Sequence, residues 1–229
     1  MTETPLSPAA FVERLRSEGA SRYHDHHPFN ARMHAGSLSK AELQRWVQNR
    51  YYYQTRIPIK DALILAKSDD PAFRRSWIHR LADHDGAREG EGGLAEWLAL
   101  ARAVGLDEGD VRSCRRVLPA VRYACDAYVE LVRSRSLVEA VASSLTEHFA
   151  PTIMRTRVAA WETHYPWVDK AALQYFRQRV PRATRDAEEA IEFVTRHATT
   201  REVQDACLRA LIEKCSILWA LLDAVAEAR

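Results

Sequence analysis

The sequence predicts an all-α protein, a single-domain helical bundle that spans residues 1–229. Eight glycines and nine prolines are few for this length, which favours long helices over a turn-rich β fold. We find no segment with sustained alternation of apolar and polar residues, the pattern of a half-buried strand. The hydrophobic fraction of 47% is enough for a substantial core. These observations predict helices packed around one core.

Capping signals mark the first helices. Serine followed by proline at 7–8 predicts a short helix that reaches about Arg16. The stretch 23–30 contains three histidines and a proline, and we expect it to be irregular. Ser39 and Glu42 have the spacing of a capping box, which predicts the start of a long helix.

Proline and glycine divide the rest of the chain. Pro58 is expected to kink or break the long helix, because proline has no amide hydrogen to donate. Another helix is predicted to begin with Pro71 in its first turn and to end at Gly86. The remaining predicted helical segments are 92–105, 107–133 with a break near Pro119, 136–164 interrupted at Pro151, 169–180, 181–197 and 199–227.

Charge and targeting signals exclude several classes of protein. The chain has 33 basic and 31 acidic residues, so it offers no overall positive field for a nucleic acid. Its start lacks a basic segment followed by an apolar one, and no apolar run is long enough to cross a membrane. We therefore expect a cytoplasmic protein with neither a nucleic-acid nor a membrane partner.

The cysteines predict no disulfide framework. None of them forms a Cys-x-x-Cys pair, and spacings of eleven and eight place each pair on one face of a helix. Buried free thiols are the expected state. The four residues are Cys114, Cys125, Cys207 and Cys215.

Polar pairs spaced four residues apart occur in three predicted helices. A step of four returns to the same helix face, so the members of each pair lie together. Their neighbours are aromatic or apolar, which suggests polar side chains that point into a cavity between helices. A ligand with several negative charges would fit such a cavity. The pairs are Arg50/Gln54, Arg80/His84 and Tyr175/Arg179.

Each of these residues also has a simpler interpretation. The pairs, and Arg157, could lie on solvated helix faces. Lys214 falls within the apolar stripe of the last helix, where a lysine must extend to solvent, pair with an acid or bind an anion. His84 could transfer protons near neutral pH, although a single histidine is more often structural.

A metal site has weak support in the sequence. The histidines at 24, 26 and 27 lack regular helical spacing, and Glu-x-x-His, the signature of di-iron bundles, does not occur. His84-Asp85 is similar to the metal-binding doublet of helical phosphohydrolases, but a doublet alone is a weak signal.

Longer motifs identify a family. In order along almost the whole chain they are Tyr23-His24-x-x-His27-Pro28-Phe29, Asn49-Arg50-Tyr-Tyr-Tyr-Gln54-x-x-Ile57-Pro58-x-Lys60-Asp61, Asp83-His84-Asp85-Gly86, Ser143-Ser144-Leu145-Thr146-Glu147, Ala150-Pro151-Thr152-Ile153 and Tyr175-Phe176-x-x-Arg179. The set resembles the pyrroloquinoline quinone synthase family. The long tyrosine motif is the most specific of them.

The resemblance implies a haem-oxygenase-like bundle that binds no haem. Such enzymes catalyse the last step of pyrroloquinoline quinone biosynthesis. A bicyclic precursor derived from amino acids is ring-closed and oxidised by eight electrons, while molecular oxygen is consumed and hydrogen peroxide is released. The resemblance further implies that no metal or other cofactor takes part, and that the enzyme is a homodimer.

The resemblance also implies roles for single residues. His24 and His84 would move protons, with Tyr175 close by, and His84, Tyr175 and Arg179 would hold oxygen or peroxide. Position 154 is methionine, where some family members have an active-site histidine. The implied binding set for a small polycarboxylate substrate is Tyr23, Arg50, Gln54, Lys60, Arg80, Tyr128, Glu147, Arg157 and Lys214.

Three other functions stay open at this point. A thiaminase-like branch of the same fold uses a cysteine nucleophile, but no cysteine lies within the matched motifs. A metal phosphohydrolase could be built on His84-Asp85. A carrier could bind the finished quinone without making it.

Overall fold

A computed structural model describes residues 3–228, and all of its regular structure in that range is helical. The all-α prediction is confirmed. The α-helices are α1 Pro8–Arg22, α2 Pro28–His34, α3 Lys40–Ala66, α4 Pro71–Trp77, α5 His79–Asp85, α6 Gly92–Ala103, α7 Glu108–Arg112, α8 Pro119–Ser134, α9 Leu137–Ser143, α10 Ala150–His164, α11 Gln174–His197 and α12 Arg201–Glu227. Short 3₁₀ turns lie at His24–His26, Ser144–His148 and Lys170–Leu173.

The long helices α3, α11 and α12 form the centre of the bundle. Helix α3 packs against α8, α6 and α5, while α12 packs against α8, α9 and α1. Helix α11 lies against α10 and against the turn at Ser144–His148. The apolar stripe predicted on the last helix is buried from Cys207 to Val225. Within residues 3–228, each helix is too short or too polar to serve as a membrane span.

The predicted capping box opens α3. The Ser39 side chain accepts a hydrogen bond from the Glu42 amide at 3.3 Å, and the Glu42 carboxylate accepts one from the Ser39 amide at 2.8 Å. These contacts satisfy two amides that have no partner inside the helix. The start of α3 is therefore set locally, and the positions of Arg50 and Gln54 follow from it.

Pro58 and Pro181 lie inside helices. The helix boundary predicted at Pro181 is therefore wrong, and of the two outcomes predicted for Pro58, a kink or a break, the break is wrong. Helix α3 continues through Pro58 to Ala66, and α11 continues through Pro181 to His197. An interior proline costs about 3 kcal/mol, because one backbone bond is lost and the ring crowds the preceding turn. In α3 the burial of Ile57 and Ile64 on either side of the proline offsets this cost.

The first irregular stretch is more ordered than the sequence predicts. Residues 24–26 form a 3₁₀ turn, and α2 begins at Pro28. His27 caps α2 through its Nδ1, which accepts a hydrogen bond from the Phe29 amide at 3.0 Å. Helix α1 runs to Arg22 instead of Arg16. Gly19 lets α1 approach Phe149, the residue before α10, since a Cβ at position 19 would lie 2.6 Å from the Phe149 ring.

Other boundaries are also refined. The segment predicted at 136–164 is interrupted by the 3₁₀ turn at 144–148, which precedes Pro151. The segment at 70–86 divides at Ile78 into α4 and α5. The break near Pro119 is a turn of several residues between α7 and α8. The 3₁₀ turn at 144–148 carries Glu147 toward the interior of the bundle.

Candidate active site

A small cavity with a volume of about 30 Å³ lies between α3, α10, α11, α12 and the 3₁₀ turns at 24–26 and 144–148. It takes side chains from segments far apart in the sequence, because these helices converge on one region of the core. Its walls combine charged groups with aromatic and aliphatic ones. The lining residues are Tyr23, His24, Arg50, Tyr53, Ile57, Thr146, Glu147, Ala150, Met154, Tyr175, Arg179 and Leu218.

Six of the predicted site residues line the cavity, and the others lie outside its lining. The pairs Arg50/Gln54, Arg80/His84 and Tyr175/Arg179 are buried, so the solvated-face interpretation is wrong for each of them. Arg157 and Lys214 are buried as well. Glu147 is half-buried. The predicted residues outside the lining are Gln54, Lys60, Arg80, His84, Tyr128, Arg157 and Lys214.

Three of the buried basic residues have no acidic partner within 4 Å among residues 3–228. Arg50 stacks its guanidinium 3.9 Å from the centre of the Tyr53 ring. Arg157 contacts the Asn30 side-chain oxygen at 3.1 Å. Lys214 donates to the Tyr53 hydroxyl at 2.8 Å. Burial of charge without a counter-ion is costly, and an anionic ligand that reached these residues would reduce the cost.

Lys214 does not extend to solvent. Its side chain is fully buried, with the amine 3.4 Å from the centre of the Tyr128 ring. Burial and the nearby charge of Arg50 lower the pKa of Lys214 well below its ordinary value. A bound carboxylate would favour the protonated amine.

The other predicted cations are paired inside the protein. Lys60 lies 2.7 Å from a carboxylate oxygen of Asp61 and also donates to Ser144 at 3.0 Å. Arg179 forms ion pairs with Glu147 and Asp186. Burial opposes the charge of Arg179, but these two carboxylates raise its pKa above the ordinary value. This arginine is therefore already satisfied before any ligand binds.

Asp186 is a buried carboxylate that the motifs did not reveal. It accepts hydrogen bonds from Arg179 at 3.3 Å, from Arg185 at 2.9 Å and from His79 at 3.3 Å. Its backbone carbonyl accepts from Arg80. Burial opposes its ionisation, but the His79 hydrogen bond and the arginine charges hold the pKa of Asp186 far below its usual range. Asp186 lies seven residues after Arg179, which places both on one face of α11, and this spacing was the signal in the sequence that could have identified it.

One ring nitrogen of the buried His84 side chain has no hydrogen-bond partner among residues 3–228. Its Nδ1 lies 3.2 Å from the Arg80 carbonyl oxygen, which can only accept, so Nδ1 carries the proton. Its Nε2 is buried and has no protein partner within residues 3–228. Burial and the charge of Arg179 lower the pKa of His84 to about 3. The ring is therefore neutral at pH 7 and carries a lone pair at Nε2.

Tyr175 links two of the central helices. Its hydroxyl donates to the Gln54 side chain at 2.9 Å, which joins α11 to α3. Burial raises the pKa of Tyr175, so the hydroxyl keeps its proton. A Cβ at Gly93 would lie 3.3 Å from the Tyr175 ring and 3.6 Å from His84. The start of α6 therefore packs closely against both side chains.

His24 also lines the cavity. Its ring lies 4.4 Å from the Tyr23 ring, and its Nδ1 has no partner within residues 3–228. Burial and the charge of Arg50 lower the pKa of His24 well below its ordinary value. His24 is therefore a second neutral imidazole beside the cavity.

The alternatives based on metal or cysteine gain no geometric support. Asp85 is exposed whereas His84 is buried, so the His-Asp doublet does not converge. One His/Asp/Glu cluster in residues 3–228 has metal-like spacing, His79 with Asp186 and Glu189, but arginines already contact it and would repel a cation.

The cysteines lie away from the cavity lining. Cys125, Cys207 and Cys215 are buried free thiols, as predicted, whereas Cys114 is half-buried. Burial raises the pKa of Cys125 to about 12, so this thiol is a poor nucleophile at neutral pH.

The fold and the cavity define a haem-oxygenase-like helical protein with a buried, cation-rich site. A solved domain of unknown function with a haem-oxygenase-like fold, from Shewanella denitrificans OS217, superposes with a TM-score of 0.77 at 17% identity and covers 97% of this chain and 93% of its own. A TenA homologue from Pseudomonas syringae pv. tomato gives 0.75 at 14% identity, with 98% and 94% covered. At these identities the likeness shows the fold alone.

The chain belongs to the TENA/THI-4/PQQC family, whose model matches residues 12–224. A pyrroloquinoline-quinone synthase from Acidiphilium cryptum is 51% identical over 97% of this chain and 91% of the relative. One from Rhizobium meliloti is 53% identical over 96% and 86%. The resemblance found in the motifs is thereby confirmed.

Proposed function

We propose that this chain is a cofactorless oxidase that completes pyrroloquinoline quinone biosynthesis. In the proposed reaction a bicyclic precursor with several carboxylates is ring-closed and oxidised by eight electrons. Molecular oxygen accepts the electrons and is reduced to hydrogen peroxide, which is released. The names of relatives about half identical over nearly the whole chain support the enzyme class and a role in this biosynthesis. The oxidase chemistry is the part that we propose.

The observation that carries the proposal is the set of buried basic groups without acidic partners. Arg50 lines the cavity, while Arg157 and Lys214 are buried outside its lining. A globular protein rarely buries such groups unless something compensates them. Carboxylates of the substrate would supply the compensation, and charge-assisted hydrogen bonds to guanidinium groups would orient the ring system.

Neutral imidazoles suit the proton transfers that ring closure needs. His24 lines the cavity and His84 lies outside its lining, and within residues 3–228 neither the His24 Nδ1 nor the His84 Nε2 has a hydrogen-bond partner. A base buried in a dry site needs no solvent reorganisation when it accepts a proton. We assign proton removal to these two side chains, with the Tyr175 hydroxyl as a donor beside them.

Oxygen reduction is assigned to the region of His84, Tyr175 and Arg179. The guanidinium of Arg179 is fixed by two carboxylates, so its charge is held in place without reorganisation. A fixed positive charge would stabilise a reduced oxygen species. The electron-rich, quinol-like intermediates would themselves deliver the electrons, so the proposal includes no metal, flavin or other cofactor.

The experiment is aerobic incubation of the purified protein with the bicyclic precursor. Oxygen uptake, hydrogen peroxide and the quinone chromophore should appear together, and none of them should appear without oxygen. Binding of the quinone with no oxygen uptake would leave a carrier as the function. A requirement for stoichiometric metal, found by elemental analysis and by loss of activity with a chelator, would contradict the cofactorless chemistry.

The proposal also includes a homodimer in the cytoplasm that binds neither nucleic acid nor membrane. The dimer follows from the family resemblance, and the balanced charge is consistent with a protein that does not bind nucleic acid. Size-exclusion chromatography with light scattering would test the dimer. Full activity of a monomeric preparation would contradict the proposed dimer.

A further inference from the structure

Arg157 is a buried guanidinium held only by neutral groups. Its exposed fraction is 3%, and no carboxylate of residues 3–228 lies within 4 Å of it. Its polar contacts are the Asn30 side-chain oxygen at 3.1 Å and the Met154 sulfur at 3.9 Å. The Trp46 and Phe176 rings lie 4.9 and 5.5 Å away. The positive charge is thus positioned but not neutralised.

Asn30 is the polar residue that positions this guanidinium. It is fully buried near the start of α2. Its side-chain nitrogen donates to the His24 carbonyl at 2.7 Å, while its oxygen accepts from Arg157. Because a carbonyl only accepts and a guanidinium only donates, the two contacts fix which way the amide points. Asn30 therefore joins the turn that carries His24 to α10.

The amide is a notable choice at this position. A carboxylate would be the ordinary partner for a buried guanidinium, since it adds charge to the same hydrogen bond. It would also remove the net positive charge from this side of the site. Burial and the neighbouring charge of Arg50 already lower the pKa of Arg157 to about 10, which records how poorly its charge is compensated.

We propose that Asn30 is a specificity-determining residue whose neutral amide holds Arg157 in place and leaves its positive charge to a carboxylate of the ligand. This inference rests on the proposed function, in which the ligand is a polycarboxylate. It adds that the preference for an anion depends on the absence of charge at position 30. His24 is coupled to the same amide, so the turn beside the cavity and the cation are set together.

Asn30→Asp is the direct test, because it keeps the size and the acceptor toward Arg157 and adds a negative charge, while it loses the donor to the His24 carbonyl. The variant should fold, with a melting temperature above that of Asn30→Ala, which loses the same donor without gaining an ion pair to Arg157. Its affinity for pyrroloquinoline quinone, measured by titration of the apoprotein, should fall at least ~tenfold, because a charge-assisted bond is lost. Affinity within ~threefold of the parent would overturn the inference, as would a variant that does not fold.

Asn30→Ala separates neutrality from the hydrogen bond itself. It removes both the acceptor for Arg157 and the donor to the His24 carbonyl without adding charge, so it should lower the melting temperature. Loss of the contact that holds Arg157 in place should weaken quinone binding by ~threefold at most, less than Asn30→Asp does. A loss of ~tenfold or more in this variant would show that the contact, and not its neutrality, governs binding, and would overturn the inference.

Gln204→Glu is the matched control elsewhere in the bundle. Gln204 is also a buried amide, and its contacts are with Leu6 and Ala198, away from the cavity lining. This change should leave quinone affinity unchanged. A loss of affinity in Gln204→Glu as large as that in Asn30→Asp would mean that any added buried charge weakens binding, and it would overturn the inference. If the parent chain binds no quinone, the proposed function fails and the inference fails with it. If the parent binds and Asn30→Asp binds equally, the inference alone fails.

Discussion

Replacing Lys214 with methionine tests whether the buried amine serves the ligand or the fold. The side chain is fully enclosed, and its amine contacts the Tyr53 hydroxyl at 2.8 Å and the Tyr128 ring at 3.4 Å. Methionine has a similar length and is apolar and flexible, so it can fill the same space. The substitution therefore removes the amine with little change in packing.

The stability of the variant should increase at neutral pH. Burying a charge without a partner costs several kcal/mol, whereas the lost hydrogen bond to Tyr53 contributes about 1 kcal/mol. We expect a net gain of at least about 1 kcal/mol in the free energy of unfolding, or a rise of about 2–4 °C in Tm for a chain of this size. Differential scanning calorimetry or urea unfolding would measure it.

The gain should also depend on pH. The pKa of Lys214 is lowered in the folded state by burial first and by Arg50 second. Between that value and the unfolded pKa of about 10.4, the unfolded chain binds more protons than the folded chain. The free energy of unfolding of the parent therefore rises with pH in this window. The advantage of Lys214→Met should shrink toward zero as the pH approaches ~10.4.

Ligand binding should change in the opposite direction. Loss of a charge-assisted bond costs about 1.5–3 kcal/mol, which weakens quinone binding by roughly 10- to 150-fold. Exposed Lys170, changed to methionine, is the control and should alter neither quantity. A lower Tm together with unchanged affinity would mean that Lys214 supports the fold, and the reasoning would be refuted.

Three further changes test other parts of the site. His84→Asn should lower kcat by ~10²–10⁴-fold, while its affinity for the product stays within a few-fold of the parent. Because the pKa of His84 is about 3, protonation of this group should not lower the kcat of the parent between about pH 8 and pH 5. Lys60→Ala leaves the Asp61 carboxylate buried without its cation and should lower the free energy of unfolding, measured in urea, by about 3–5 kcal/mol. Arg50→Ala breaks no ion pair and should lower that free energy by less than ~1 kcal/mol, yet it should weaken quinone binding about tenfold. Calorimetry of quinone binding in buffers of different ionisation enthalpy should show net proton uptake in the pH window where free Lys214 is deprotonated and bound Lys214 is protonated, because burial lowers the pKa of the free amine and a bound carboxylate raises it. Binding without proton uptake would contradict that linkage.

Helical spacing predicted the local part of the site well. Arg50 and Gln54 share a face because α3 is an unbroken helix from a capping box to Ala66, so a step of four has its usual meaning. Periodicity also placed Lys214 within a buried stripe of α12. It could not show which way the polar faces point, because every residue from Gln48 to Gln54 is buried.

Contacts between distant segments were beyond sequence reasoning. Asn30 and Arg157 are 127 positions apart, and Arg80 meets Asp186 across 106 positions. No local propensity specifies such pairs, since they depend on how α2 packs on α10 and α5 on α11. The same limit explains the errors at Pro58 and Pro181, where packing of the flanking turns outweighed a local preference.

The paired and unpaired buried cations differ in what they contribute to stability. Arg179 and Lys60 each have a carboxylate, so their charges are compensated without any ligand. Arg157 and Lys214 have only an amide, a thioether and aromatic groups, and each lowers stability as long as its charge is uncompensated. Selection for stability alone would replace these two residues or supply them with acids, as at Asn30→Asp. Their presence in a tightly packed core is explained if an anionic ligand supplies the missing charge.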